Sequence, residues 1–304
     1  MPLHIETPLL ESGAMSTPGQ SVWLKMDALQ PPGSFKIRGI GFACEEYARR
    51  GARRFVSSSG GNAGIAAAYA GRRLSIPVVV VVPETTSARA MELIRREQAE
   101  VIVHGASFQE ANALAQSMLL PTDAFIHPFD DPLLWQGHAS MIDEVARAGL
   151  VPDAVLLSVG GGGLLCGVVA GLRRNGMAGV PVIAVETAGA DSLAQSVAAG
   201  ARIELPRISS LATSLGARKV AEQAFEWTRQ HPVRSVVVPD SAAVAACMRF
   251  IDDHRVVVEP ACGASLAVAY DRAALGACRD VLVIVCGGVT ATVGQLQAWA
   301  TERR

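Results

Sequence analysis

The sequence has little charge and no block of like charge. Asp, Glu, Lys and Arg make up 18% of its 304 residues, and 27 basic residues against 28 acidic ones give a net charge of −1. This balance excludes the basic surface typical of proteins that bind nucleic acid or anionic membranes. We therefore expect a small molecule as partner, with neither nucleic acid nor membrane.

Cysteine motifs and an export signal are also lacking. The six cysteines form no C-x-x-C pair and have no histidine at zinc-binding spacing, so free thiols in a reducing compartment are expected. The first twelve residues, MPLHIETPLLES, lack the basic and apolar regions of a secretory signal. Together these features predict a cytoplasmic protein.

Long hydrophobic runs are present, but glycine interrupts each of them. Hydrophobic residues make up 50% of the chain, which excludes a disordered protein. Two windows without charge, residues 154–172 and 281–300, approach the length that spans a bilayer. Because glycine clusters at 160–163 and 287–288 break them, we expect no membrane-spanning helix.

Short apolar runs alternate with alanine-rich stretches, a pattern typical of α/β proteins whose parallel sheets are covered on both faces. We predict strands within seven segments: 53–61, 76–83, 99–105, 154–163, 180–187, 234–239 and 280–288. We predict helices over 62–74, 88–98, 108–119, 164–174 and 242–253. Five of the strands end in Gly, Ser or Thr, at the sheet edge where open α/β folds bind ligands.

Loop signals divide the chain into two parts. Pro31-Pro32-Gly33 and the segment 128–132 bracket a block of strands and helices. They predict a small substrate-binding domain over residues 33–135. The large domain is then formed by residues 1–32 and 136–304.

One of only three lysines lies in an unusual segment, PPGSFKIRGIG at residues 31–41. Lys36 follows a Pro-Pro-Gly turn and is flanked by Ser34 and Phe35. Burial lowers the pKa of a lysine and frees its lone pair, so Lys36 could form a Schiff base. Taken alone, the segment is also compatible with a surface lysine at the start of a helix.

Two turns rich in glycine follow strands and precede helices. VSSSGGNAGIAAAYAG (56–71) and SVGGGGLLCG (158–167) both place backbone N–H groups at a helix N-terminus, which suits a carboxylate or a phosphate. The second has no Gly-Lys-Ser/Thr, which excludes a Walker A loop. It lacks the last glycine of the dinucleotide fingerprint, yet Glu186 mimics the ribose-binding acid, so a nicotinamide dehydrogenase stays an alternative.

A further strand ends in VIVCGG, residues 283–288. Cys286 is either a small buried hydrophobe or a neutral thiol beside a heteroaromatic nitrogen. Together with the other motifs, this thiol describes a pyridoxal phosphate site. The site would combine a lysine able to form a Schiff base, an anion loop for substrate, a glycine loop for phosphate and a neutral thiol.

With these motifs in this order, the chain resembles the fold-type II pyridoxal phosphate enzymes, and within them the L-serine/L-threonine dehydratases of the serine-dehydratase-like branch. The resemblance rests on KMDALQPPGSFKIRGIG, SSSGGNAG, PFDDPLLWQGHAS, SVGGGGLLCGVVAGL, VEPACGA and IVCGG. It implies two open parallel-sheet α/β domains, similar to the tryptophan synthase β-subunit, with the cofactor in the cleft between them. It also implies a lyase that converts L-serine to pyruvate and ammonia by α,β-elimination, with L-threonine to 2-oxobutyrate as a secondary activity.

The same resemblance implies roles for individual residues. Lys36 would hold the cofactor through a Schiff base and remove the α-proton of the substrate. Phe35 and Ser214 would pack on opposite faces of the pyridine ring, whereas Cys286 would face its nitrogen, next to Gly287. Because a thiol does not keep that nitrogen protonated, elimination is favoured over transamination. The substrate carboxylate would be bound by Ser59, Gly60, Gly61 and Asn62, and Asn62 would also reach the phenolic oxygen of the cofactor. The cofactor phosphate would be bound by Gly160, Gly161, Gly162, Gly163 and Leu164.

A monovalent cation such as K⁺ is also implied by the resemblance. Its candidate ligands are Glu186, Ala190, Ser192, Ser214, Leu215 and Ala217, an oxygen set that suits a hard ion. From the sequence, Glu186 is equally well explained as the solvent-exposed end of a strand.

The chain departs from its relatives at Gly60, where dehydratases often have Ala and serine racemases a Ser. Without a hydroxyl at this position, we expect poor racemisation. Glycine also loosens the loop, so slower turnover than in Ala-bearing relatives is expected.

Three alternatives stay open: a β-replacement synthase such as cysteine synthase, a weakly active relative that only binds pyridoxal phosphate or an amino acid, and the nicotinamide dehydrogenase. The SSSGGNAG loop is not the usual pattern of the synthases. The resemblance further implies a homodimer. Because the sequence ends soon after the CGG strand, feedback control by isoleucine is not expected.

Overall fold

The computed structural model of the chain describes residues 2–302, in which strands alternate with helices. The strands are β1 (Leu9–Glu11), β2 (Ser21–Lys25), β3 (Arg54–Ser57), β4 (Val78–Val82), β5 (Glu100–Val103), β6 (Asp123–Phe125), β7 (Ala154–Ser158), β8 (Val182–Thr187), β9 (Val233–Val238) and β10 (Asp280–Ile284). The helices are α1 (Lys36–Arg49), α2 (Asn62–Leu74), α3 (Ala88–Arg96), α4 (Phe108–Ser117), α5 (Pro132–His138), α6 (Ser140–Arg147), α7 (Gly163–Arg174), α8 (Ser192–Ala199), α9 (Glu222–Gln230), α10 (Asp240–His254), α11 (Pro260–Asp271) and α12 (Val293–Glu302). Short 3₁₀ turns lie at Asp27–Leu29 and Thr213–Leu215.

The strands form two separate sheets. The larger sheet has the order β1-β2-β10-β7-β8-β9 and is parallel except for β1, which pairs antiparallel with β2. The smaller sheet, β5-β4-β3-β6, is parallel throughout. This arrangement confirms the predicted fold class, with one antiparallel edge strand that was not predicted.

All seven predicted strands are confirmed, as β3, β4, β5, β7, β8, β9 and β10. Their continuous apolar sequence follows from burial on both faces: every residue of β4 and of β7 is buried. The five predicted helices are confirmed as α2, α3, α4, α7 and α10, with ends that differ by at most two residues. The strands β1, β2 and β6 were missed because they are short and partly polar.

The two uncharged windows each fold as a strand, a glycine turn and a helix. Residues 154–172 contain β7 and most of α7, and residues 281–300 contain most of β10 and α12. Among residues 2–302, none of the helices is both long enough and apolar enough to cross a membrane.

The smaller sheet and the helices α2, α3 and α4 lie within the predicted small domain. The predicted boundary at residue 135 falls inside α5, which packs on both α1 and α7. The exact domain boundaries therefore stay a prediction. The loops after β3, β7 and β10 face one cleft of about 890 Å³ between the two sheets.

Candidate active site

The cleft brings together every residue that the sequence predicts to bind cofactor or substrate. It is lined by Phe35, Lys36, Ser59, Gly60, Gly61, Asn62, Gly160, Gly161, Gly162, Gly163, Leu164, Ser214, Cys286 and Gly287. They come from both sides of the cleft, because the carboxyl ends of the parallel strands converge there. Their individual roles stay predictions that this placement supports.

Lys36 is the first residue of α1 and points into the cleft. Its Nζ donates a hydrogen bond to the carbonyl oxygen of Pro128 at 2.6 Å. Burial lowers the pKa of Lys36 to about 8, although the neighbouring Cys286 and Glu259 act in the opposite direction. A lysine with this pKa is partly neutral near pH 8 and can act as a nucleophile and as a base.

The pKa of Lys36 predicts how cofactor capture depends on pH. Only the neutral amine attacks the aldehyde of pyridoxal phosphate, so the rate of capture by cofactor-free protein should rise with pH. We expect its midpoint near pH 8, well below the ordinary lysine value of 10.5. Rapid-mixing absorbance spectroscopy between pH 6.5 and 11 measures this midpoint. A value near 10.5 would contradict the buried environment of the amine.

The turn before Lys36 is shaped by close packing. Gly33 adopts a φ of +78°, and a Cβ at this position would lie 2.0 Å from Cγ1 of Val289. The backbone N–H of Phe35 then donates to the carbonyl oxygen of Cys286 at 3.0 Å. The Pro-Pro-Gly turn thus ties the start of α1 to the CGG segment on the larger sheet.

The four-glycine turn connects β7 to α7, and Gly162 is the N-cap residue with a φ of +90°. A Cβ at Gly161 would lie 2.2 Å from the ring of Phe129, and one at Gly160 would lie 2.9 Å from Cα of Leu215. Side chains are therefore sterically excluded from this turn. The unpaired N–H groups and the dipole at the N-terminus of α7 make it an anion site.

Substitution of Gly161 by alanine is expected to weaken cofactor binding. The added methyl group must displace either the turn or the ring of Phe129. We expect the dissociation constant for pyridoxal phosphate to rise at least about tenfold, or about 1.4 kcal/mol. Absorbance titration measures this constant. Gly179→Ala is the matched control, because a Cβ there meets nothing within 4 Å; equal affinities in the two variants would contradict the assignment of the turn.

Cys286 lies two residues after the end of β10, at the carboxyl end of the larger sheet, and is buried. A hydrogen bond with Cys262 and burial both raise the pKa of Cys286 well above its ordinary value, so the thiol is neutral. Gly287, with a φ of +87°, lets the chain approach Gly33, whose carbonyl oxygen would lie 2.6 Å from a Cβ at this position. A neutral thiol agrees with the predicted contact to a pyridine nitrogen.

The substrate loop, defined as residues 58–62, connects β3 to α2. Its Asn62 begins α2 and is buried. The side-chain amide donates to Oε1 of Glu259 at 2.7 Å and to Oγ of Ser214 at 3.4 Å. A Cβ at Gly60 would lie 2.7 Å from both Cγ2 and Oγ1 of Thr86, so the Thr86 side chain fills the space beside this glycine.

Two of the predicted cation ligands, Glu186 and Ser192, have buried side chains. Glu186 is fully buried at the end of β8, so its interpretation as a solvent-exposed strand end is wrong. Its carboxylate accepts hydrogen bonds from the N–H groups of Leu193 and Ala194, at 2.8 and 2.7 Å, and burial raises its pKa to about 8. Ser192 lies at the start of α8, and its buried hydroxyl has no hydrogen-bond partner among residues 2–302.

The other candidate ligands are backbone carbonyl oxygens. They belong to turns at Ala190 and at Ser214, Leu215 and Ala217. In the part of the chain that the structure describes, no group of three or more His, Cys, Asp or Glu residues is placed to hold a metal ion. A monovalent cation bound mainly by carbonyl oxygens therefore stays a prediction.

Sequence reasoning missed a buried ion network at the start of α1. Arg38 is fully buried and bonds to both carboxylate oxygens of Asp27, at 2.6 and 2.9 Å, and to both of Glu144, at 2.6 and 2.8 Å. Lys25 is also buried and pairs with Glu144 at 2.5 Å. The network joins α1 to β2 and α6, two residues beyond Lys36. An arginine inside the otherwise apolar segment IRGIG, residues 37–41, was the available signal.

His138, at the end of α5, was also missed. It is fully buried, and neither ring nitrogen has a hydrogen-bond partner among the described residues. Burial lowers the pKa of His138 well below its ordinary value, so the ring is neutral. The centroid of its ring lies 4.9 Å from that of Phe35, the residue predicted to pack on the cofactor ring.

The residues of the cleft fit pyridoxal phosphate. The glycine turn excludes side chains where a phosphate would bind, and Lys36 supplies an amine that is partly neutral near pH 8. The buried hydroxyl of Ser34 lines the same cleft and has no hydrogen-bond partner within residues 2–302. The cleft thus offers an anion site, a nucleophilic amine and a free polar atom in one place.

Comparison with known proteins agrees with this chemistry. A family model described as pyridoxal-phosphate dependent enzyme matches residues 1–287, and the chain belongs to this family. Pyridoxal phosphate is therefore its cofactor, and the family resemblance inferred from the sequence motifs is confirmed.

Individual relatives are similar over nearly the whole chain. The human L-serine dehydratase/L-threonine deaminase is 48% identical over 310 residues, which cover 98% of this chain and 94% of the relative. The L-serine dehydratase of Dictyostelium discoideum is 41% identical and covers 97% of this chain and 91% of its own. The crystal structure of a fungal L-serine ammonia-lyase from Rhizomucor miehei superposes with a TM-score of 0.94 at 32% identity, covering 100% of both chains.

Proposed function

We propose that the protein is a pyridoxal phosphate-dependent L-serine dehydratase. It converts L-serine to pyruvate and ammonia by α,β-elimination and acts on L-threonine, giving 2-oxobutyrate, as a secondary activity. The observation that carries the proposal is the position of Lys36 in one cleft with the glycine turn 160–163 and the substrate loop. The names of the similar proteins support the same reaction.

In this proposal each group of the cleft has one task. The N–H groups of residues 160–164 bind the cofactor phosphate, and the neutral thiol of Cys286 contacts the ring nitrogen. When bound, the cofactor supplies an electron sink for the α-carbon of the amino acid. The substrate loop holds the carboxylate of L-serine.

Lys36 first holds the cofactor. Once the substrate has displaced the Lys36 amine from the cofactor, this amine acts as a base. Its Nζ takes the α-proton and the β-hydroxyl leaves, so that the proton and the hydroxide lost from the substrate together make one molecule of water. Hydrolysis of the resulting enamine consumes one water and gives pyruvate and ammonia. The lowered pKa of Lys36 keeps a fraction of the amine neutral for proton transfer near pH 8.

Steady-state kinetics with four substrates side by side test the proposal. L-serine should give pyruvate most efficiently, L-threonine should give 2-oxobutyrate, and D-serine should be a poor substrate and a minor product. Faster product formation from O-acetylserine with sulfide would favour a β-replacement synthase. Tight binding of L-serine without release of pyruvate would favour a binding protein and contradict the proposal.

Gly60 is expected to limit the rate of the reaction. A methyl group at this position restricts the substrate loop. The side chains of Thr86, whose Oγ1 and Cγ2 would lie at 2.7 Å, and of Val82, whose Cγ1 would lie at 3.2 Å, must shift to admit it. We expect Gly60→Ala to raise kcat/KM for L-serine by about three- to tenfold, that is, by roughly 1 kcal/mol. Kinetics of this variant beside Gly294→Ala, whose Cβ would lie in open space, check the expectation. A lower kcat/KM in Gly60→Ala alone would contradict it.

We further propose a homodimer, a K⁺ site at Glu186 and a cytoplasmic location. Exposed apolar residues on the two edge strands of the larger sheet, Leu10 on β1 and Val237 on β9, support an association of two copies. All six cysteines are free thiols, which supports a reducing compartment. A monomeric mass in light scattering, or equal activity in K⁺ and tetramethylammonium buffers, would contradict the first two points.

A further inference from the structure

Glu259 lies in the cleft although the sequence did not identify it as a site residue. It directly precedes α11 and is 4% exposed. As the N-cap residue of α11 its carboxylate could bond to the N–H groups of its own helix, but it makes no such bond. The carboxylate instead faces side chains of other elements.

Two donors bind the two oxygens of this carboxylate. Nδ2 of Asn62 donates to Oε1 at 2.7 Å, and Oγ1 of Thr290 donates to Oε2 at 2.7 Å. A Cβ at Gly288 would lie 2.1 Å from the carboxyl carbon of Glu259, so the second glycine of the CGG motif makes room for this group. Burial raises the pKa of Glu259, whereas hydrogen bonds donated to both of its oxygens act in the opposite direction and favour the ionised carboxylate.

The contact to Asn62 fixes the orientation of its amide. Nδ2 of Asn62 donates to Glu259 and to Oγ of Ser214, while Oδ1 accepts from the N–H of Val289 at 3.2 Å. Asn62 begins α2, which packs on the smaller sheet, whereas α11 packs on β7 and β8 of the larger one. Glu259 therefore holds a group of the substrate loop from across the cleft.

The charge of Glu259 is not balanced by an ion pair. Among residues 2–302, no Lys, Arg or His forms a salt bridge with it. The titratable groups that face it are Lys36 from α1, Cys286 from the end of β10 and Cys247 from α10. A buried carboxylate without a cation is costly, which is typical of groups kept for their effect on a site.

We propose that Glu259 is a positioning residue of the active site, whose carboxylate orients Asn62 and supplies a negative charge to the cleft that Lys36 also lines. The part that concerns Asn62 rests on the proposed function, because it assumes that the substrate loop binds L-serine. The part that concerns Lys36 requires only that the protein binds pyridoxal phosphate through this lysine.

The Glu259→Gln variant separates charge from position. Glutamine keeps an oxygen that can accept from Asn62, but it carries no charge. Since a negative charge stabilises the protonated amine, its loss should move the pH midpoint of pyridoxal phosphate capture downward, by about one unit from the parent value. Capture is measured by rapid-mixing absorbance with the cofactor alone, without substrate.

The Glu259→Ala variant removes both the charge and the acceptor. The amide of Asn62 then loses its shortest hydrogen bond, so we expect KM for L-serine to rise about tenfold in this variant and much less in Glu259→Gln. Asp153→Asn is the matched control. Asp153 also accepts two hydrogen bonds, from the N–H groups of Arg279 and Asp280. It lies just before β7, at the amino ends of the strands, whereas the cleft lies at their carboxyl ends.

The outcomes are distinct. A lower capture midpoint in Glu259→Gln together with a raised KM in Glu259→Ala supports the proposal. A loss of thermal stability with the parent midpoint and the parent KM overturns it, because Glu259 would then be structural only. If the parent protein does not turn over L-serine, the proposed function fails, while the capture midpoint still decides whether Glu259 acts on Lys36. If Glu259→Ala does not fold, the capture midpoint of Glu259→Gln still decides whether Glu259 acts on Lys36.

Discussion

Replacement of Lys36 by alanine is expected to lower pyruvate formation from L-serine by about 10⁴-fold, the upper end of what a single acid–base group contributes. The variant loses both the amine that holds the cofactor and the base that takes the α-proton. It should also lose the visible absorption band of the bound cofactor. Coupled pyruvate assays and absorbance spectra of the purified variant measure both effects.

Lys219→Ala is the control for this experiment. Lys219 is exposed and also lines the cleft, so this variant tests whether Lys36 alone holds the cofactor; the absorption band should remain when the amine of Lys219 is removed. A Lys36→Ala variant that keeps the band and forms pyruvate at the parent rate would contradict the whole assignment of the cleft. Loss of turnover with an intact band would contradict the cofactor-binding role alone.

Replacement of Arg38 by methionine is expected to lower the free energy of unfolding by about 3–5 kcal/mol. Methionine fills much of the volume of the arginine but leaves the carboxylates of Asp27 and Glu144 buried with only Lys25 as counter-charge. Uncompensated buried charge is far more costly than the loss of a surface ion pair. Urea unfolding followed by circular dichroism measures the change.

Arg50→Met, at the other end of α1, is the control for the loss of unfolding free energy in Arg38→Met. Arg50 pairs with Glu46 at 2.7 Å but is 59% exposed, so its loss should cost only about 0.3–0.5 kcal/mol. Arg38→Lys, which keeps the charge but cannot bond to two carboxylates at once, should fall between the two methionine variants. Similar costs for Arg38→Met and Arg50→Met would show that the network contributes little to stability.

Much of the fold could be predicted because its strands are buried on both faces. The continuous apolar runs at β4 and β7 and the helical period of α2 are local patterns that the sequence displays directly. The strands β1, β2 and β6 could not be predicted in this way. Each has only three to five residues with partial burial, and its pairing depends on neighbours far away in the chain.

The backbone parts of the site were also predictable. Glycine turns and a lysine after a Pro-Pro-Gly turn have sequence signatures, and the structure places them in one cleft. Glu259 and Arg38 have no such signature, since their importance depends on which residues they meet across the cleft. Asn62 is 197 residues from Glu259, and Glu144 is 106 residues from Arg38.

The most direct test of the account is the position of the cofactor on the chain. The protein is loaded with pyridoxal phosphate, reduced with borohydride to fix the cofactor covalently, and mapped by peptide mass spectrometry. With only Lys25, Lys36 and Lys219 as candidates, the result is unambiguous. We expect the added mass on the peptide that contains Lys36. Labelling of Lys25 or Lys219 instead, or an active protein without any label, would contradict the account.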